Sequence, residues 1–184
     1  AGQWVELLTE MRDFVPRQPQ GQQAVLWLRI ARLYGDKLNH HEYALASLGE
    51  AQKLGVPDGE KKALWSLRAD LSRRAQRWKD LSDALGQLAE LTEEKDKRVD
   101  CYMEQGEIAE TRLSDGAAAI AAYKKARETD PQNRDAIVAL EHTLRRAASW
   151  DELITLLDEK AGLAAEQQEH QAEVKARREA AQLQ

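Results

Sequence analysis

The chain has 184 residues, 42% hydrophobic and 32% charged, a mixture that suits a folded, helix-rich protein and excludes a disordered one. Its net charge of −5 and pI near 5.5 reverse the basic excess that phosphate contacts require, so no nucleic-acid partner is expected. Cys101 is the only cysteine, which excludes an internal disulfide and a cysteine-based metal cage and fits a reducing compartment, read here as cytoplasmic.

In chain order, the first predicted element is a helix over about 4–17, beginning in the phrase "AGQW". Trp27, Ile30, Ala31 and Tyr34 then follow the i, i+3, i+4, i+7 spacing of one helix face. The polar run "GDKLNHH" separates them from a second stripe at Ala44, Leu45, Leu48 and Ala51. "LGVPDGEK" breaks the chain, with Asp58 placed to cap the next helix. Leu64, Leu67 and Leu71 make a third stripe, and Leu81, Leu85 and Leu88 a fourth that starts near Trp78. Alternating runs of Val, Ile and Thr are absent, so the predicted class is all-α. No stretch of about 18 apolar residues could span a bilayer. No signal peptide is visible, and the opening Ala-Gly, without Met, is what a fragment would show.

The elements recur. "RRAQRW" ends at Trp78 and "RRAASW" at Trp150, with Trp4 in the matching place. Leu38, Ala44, Leu45 and Ala51 match Leu113, Ala119, Ile120 and Ala126, while Ala31 and Tyr34 match Ala180 and Leu183. A unit of about 74 residues, itself two helical hairpins, therefore repeats about two and a half times, which marks a stacked-repeat protein. The expected organisation is one repeat domain over 1–184. It divides into a half repeat at 4–17, full repeats at 22–57, 60–94, 96–131 and 133–166, and a half repeat at 169–184. Neither end reads as a polar cap, so the array is expected to continue in a longer chain or to pair its ends with another copy. Trp4, Trp78 and Trp150, each at the start of a second helix, are expected to wedge between hairpins as core.

This pattern resembles the tetratricopeptide repeat, in its bacterial tandem-array form. Trp27, Ile30, Ala31 and Tyr34 match that family's first-helix positions, and Ala119, Tyr123, Ala126 and Pro131 match its second. Gln105 in place of Leu and Glu141 in place of a small residue depart from it, and the first and third repeats carry an extra residue in the hairpin turn. The resemblance implies a right-handed superhelical solenoid of antiparallel helix pairs. It also implies a concave groove lined by first helices, where a partner protein or peptide docks. Carried over by position, the groove residues are Leu28, Arg32, Lys62, Trp65, Arg73, Met103, Glu107, His142 and Arg145, with Val25, Ala69, Asp100, Asp135 and Val138 beside them. Members that grip chaperone tails use Lys and Asn where this chain has Leu28 and Arg32, so that partner is not expected.

Chemistry is sparse. His40 and His41 fall in a turn, and His142 and His170 stand apart, without metal-ligand spacing. There is no glycine-rich phosphate loop and no nucleophile–base pattern, and Cys101 reads as a packing residue. No catalysis, cofactor or metal is expected. The function read is a protein-interaction scaffold; the rivals are a self-assembling structural module and a regulatory arm of a larger protein.

Overall fold

The computed structural model describes residues 2–166 and 170–183. Among the described residues ten α-helices follow one another: α1 (Gly2–Phe14), α2 (Gln20–Leu38), α3 (His41–Leu54), α4 (Asp58–Arg74), α5 (Trp78–Glu90), α6 (Lys95–Thr111), α7 (Gly116–Thr129), α8 (Arg134–Arg146), α9 (Trp150–Glu166) and α10 (His170–Leu183). No strand occurs among the described residues. Helices α2–α3, α4–α5, α6–α7 and α8–α9 form four hairpins, while α1 packs on α2 and α10 on α9. Glu169 and Gln184, the limits expected for the last half repeat, lie outside the described residues.

Local signals start and stop these helices. Asp115 and Asn133 cap α7 and α8, their side chains accepting from the backbone N–H of Ala118 and Ala136 at 2.9 Å. Asp58 does not cap α4 as expected. The preceding Pro57 holds the cap position, and Asp58 lies inside the first turn, paired with Lys61 at 2.6 Å. Each hairpin turns through one left-handed residue that is not glycine: Asn39, Gln76, Ser114 and Ala148, with φ of 55°, 55°, 53° and 52°.

The apolar stripes meet in a chain of linked cores. Leu28, Ala31, Leu45, Leu48, Leu64 and Leu71 join the first two hairpins, and Ala69, Leu81, Leu85 and Ile108 join the second to the third. Tyr123, Ile137, Leu140, Leu153 and Ala180 carry the core to α10. Each hairpin thus buries its stripe against its neighbours, as expected for a stack that no single hairpin could stabilise.

The three recurring tryptophans are not all core. Trp78 is partly buried, but Trp4 is 37% and Trp150 45% exposed. Each stands at the first turn of a helix. A cation lies over two of the three rings: Lys37 Nζ is 5.4 Å from the Trp4 ring and the Arg112 guanidinium 4.7 Å from that of Trp78. The two turn histidines differ from each other. His40 is exposed, but the Nε2 of His41 is buried without a hydrogen-bond partner.

Candidate partner-docking face

The residues expected to line a groove sit on α2, α4, α6 and α8, and the register of these helices decides which side chains reach the surface. The hairpin turn closes from the His40 N–H to the Tyr34 carbonyl (2.9 Å) and from Asp115 to Ala109 (2.8 Å) in the first and third hairpins. In the second and fourth it closes from Arg77 to Ser72 (2.8 Å) and from Ser149 to Leu144 (3.0 Å), one residue fewer. Counting back from the closure puts Trp27, Trp65, Tyr102 and Ile137 in one position, and Ala31, Ala69, Gly106 and Glu141 in another.

The second hairpin therefore sits one residue away from its sequence-derived alignment. Trp65 is partly buried, packs against both the first and second cores, and carries the Arg68 guanidinium over its ring at 5.8 Å. Ala69, 4% exposed, is core as well. On α4 the surface positions become Ala63, Ser66 and Asp70. Leu28, expected in the groove, is buried among Ala31, Leu64 and Leu71 and has no surface to offer a partner. Met103 is partly buried against the cores on either side of α6.

Arg32, Lys62, Glu107 and His142 are exposed, as are Asp100 and Val138 beside them. Lys62 and Asp100 share one cleft of about 660 Å³ between α4 and α6, where Ala63, Ser66, Leu88 and Cys101 supply the wall. Burial, then the nearby Glu104 and Asp100 carboxylates, push the Cys101 thiol up, so little of it is thiolate at neutral pH. His142 Nδ1 lies 3.5 Å from Glu110.

Arg73 and Arg145 are already engaged. Each begins the Arg-Arg doublet that opens the returning phrase. Arg73 donates from Nε and Nη2 to Glu104 Oε1 on α6, at 3.1 and 2.6 Å, and Arg145 pairs with Glu179 on α10. The second arginine of each doublet turns the other way: Arg74 lies 3.7 Å from Asp36 on α2, and Arg146 lies 2.8 Å from Glu110 on α6. Sequence reading missed these four contacts, because they join helices more than thirty residues apart.

The two departures from the repeat pattern are accommodated by polar contacts. Gln105 donates to the Ser82 carbonyl at 3.0 Å and ties α6 to α5. Glu141 accepts from Arg145 (2.7 Å) and from Lys160 of α9 (2.8 Å). Burial works to raise its pKa, but the hydrogen bonds from Lys160 and Arg145 overcome this and hold it below the usual carboxylate range. Among the described residues no group of three or more His, Cys, Asp or Glu could hold a metal, and no helix is long and apolar enough to cross a membrane.

No protein-family profile matches the sequence, and no curated protein matches it. Several solved structures do. Two crystal structures of MamA align with TM-scores of 0.49 and 0.48 at 16% and 17% identity; they cover 86% and 93% of this chain and 81% and 92% of theirs. YrrB, described as a tetratricopeptide-repeat protein with an unusual peptide-binding site, aligns at 0.47 and 14% identity over 95% of this chain and 92% of its own. The present chain is an all-α stack of antiparallel helix pairs.

Proposed function

We propose that the chain is a non-catalytic interaction scaffold that docks an extended segment of a partner protein across α2, α4, α6 and α8. The observation that carries this reading is the cleft between α4 and α6, where Lys62 and Asp100 stand beside the apolar wall of Ala63, Leu88 and Cys101. An apolar side chain of the partner enters the cleft, and charges flanking it meet Lys62 and Asp100. Arg32, Glu107, Val138 and His142 extend the contact along the neighbouring helices. Such recognition spends little energy on rearrangement, since the helices are held from both sides. The free Cys101 thiol suits a cytoplasmic setting.

The test is selection of displayed twelve-residue peptides on the wild-type chain, followed by titration of the winners against a Lys62→Glu/Asp100→Lys variant whose helicity is unchanged. The expected result is peptides with a shared apolar residue, at least ten-fold weaker binding to the variant, and slower alkylation of Cys101 by N-ethylmaleimide when peptide is bound. Winners that bind both chains equally would move docking off this face. A self-assembling module is favoured by a different observation, the exposed Trp4, Val5, Leu7 and Phe14 on α1. Mass in solution that rises with concentration would support it.

A further inference from the structure

The Arg-Arg doublets belong to a wider alternation. In the first and third hairpins the first helix carries an acid near its end, Asp36 or Glu110; α6 carries a second acid, Glu104, and α10 carries Glu179, one residue further along than the Glu104 place. In the second and fourth hairpins the first helix ends Arg73-Arg74 or Arg145-Arg146. One arginine of each doublet reaches back to the preceding first helix and the other reaches forward to the next. Two further features keep the same alternation. The cation over Trp78 comes from the end of the following first helix, as does the one over Trp4. The longer turn closure occurs only in the first and third hairpins, the shorter only in the second and fourth.

We infer that these doublets form a junction code that makes the two-hairpin unit of about 74 residues, not the single hairpin, the unit in which the array stacks. Each exposed ion pair is weak on its own. A wrong junction, however, loses both pairs and gains repulsion. An α4-type helix followed by a second α4-type helix would set Arg73 opposite the uncharged position held by Leu67 in α4 and Ala139 in α8. It would also bring the next doublet against Arg73 and Arg74. A nearest-neighbour stack of equivalent hairpins has no such preference and gains stability with every hairpin added.

The test uses the full chain and two lengthened forms. One form repeats the α4–α5 hairpin directly after itself, which creates a junction between like helices. The other repeats the block α4–α7 after α7, which keeps the alternation. In low salt the two-hairpin insertion is expected to melt at or above the parent chain. The one-hairpin insertion is expected to melt several degrees below it, with the gap narrowing in about 0.5 M NaCl as the charges are screened. Should the one-hairpin insertion not fold, charge reversal in the parent chain decides. Glu104→Arg is expected to lower Tm by about 2–4 °C, and adding Arg73→Glu to recover most of the loss. Glu107→Arg, one turn along the same helix, should change Tm by less than about 1 °C. A one-hairpin insertion as stable as the two-hairpin one overturns the code, and so does a Glu104→Arg effect that Arg73→Glu fails to recover.

Discussion

The third and fourth hairpins answer the same packing problem with opposite chemistry. In the third, the position inside the first helix is Gly106, and the buried Tyr123 ring of α7 lies where a Cβ would be. In the fourth, the equivalent residue is Glu141, held by Lys160 from α9 and by Arg145 from its own helix. The first solution is steric: removing one side chain lets an aromatic ring reach the backbone. The second is electrostatic: a carboxylate is tolerated because two cations hydrogen-bond it. A repeat position can therefore keep its geometric role while its chemistry changes, provided the facing helix supplies the matching group.

The largest expected effect comes from breaking the steric solution. Gly106→Val puts branched atoms into the Tyr123 ring, which is itself walled in, and should destabilise the chain by about 3 kcal/mol, the upper part of the range for overpacked cores. Urea unfolding measures it. Pairing it with Tyr123→Leu should restore part of the loss, because a smaller, flexible side chain can retreat. No recovery in the double variant would mean that the backbone of α6, not the ring, sets the limit.

The electrostatic solution should show itself in acid. The folded-state pKa of Glu141 is below its unfolded value, so its ionised form stabilises the folded chain above the ordinary carboxylate value of 4.5. That contribution is lost as pH falls from there through the depressed folded-state pKa. Glu141→Gln should cost about 1–2 kcal/mol at pH 7, the scale of a charged hydrogen bond, and much less at pH 3. Melting curves at the two pH values test the sign. An equal loss at both would assign the effect to shape and not to charge.

How far the sequence reveals this arrangement varies by residue. The stripe at Trp27, Ile30, Ala31 and Tyr34 and the misfit at Glu141 are plain in the periodicity, since each rests on neighbours within one helix. The register of α4 is not. Leu64 and Leu71 are buried, but so are Ala69 and Ser72, so a slip of one residue keeps an apolar stripe and periodicity cannot choose. The cost of that ambiguity falls on the docking face, where it exchanges the core residue Trp65 for Ser66. The Arg-Arg doublet is visible as a repeated phrase, yet its partners become evident only once the helices are stacked. The exposure of Trp4 and Trp150 is hidden for a similar reason: composition favours burial of tryptophan, and how far a neighbouring helix covers each ring is settled only in the stack.

The smallest expected effect sharpens the comparison at the hairpin turns. Ala148 in the fourth hairpin and Ser114 in the third both hold a left-handed backbone, as do Asn39 and Gln76 in the first two. A Cβ in that conformation costs roughly 1–2 kcal/mol, and asparagine bears it best because its side chain can bond locally. Glycine removes the strain but adds freedom to the unfolded chain, which takes back roughly 0.5–1 kcal/mol. Ala148→Gly should therefore stabilise by about 0.5–1 kcal/mol, near 2–3 °C in Tm. Asn39→Gly should change stability by only a few tenths of a kcal/mol. The same ranking in thermal melts of the two variants would show that the turns carry ordinary backbone strain. A loss at Ala148→Gly would instead mean that its methyl group contributes to the fourth hairpin a contact worth more than the strain it imposes.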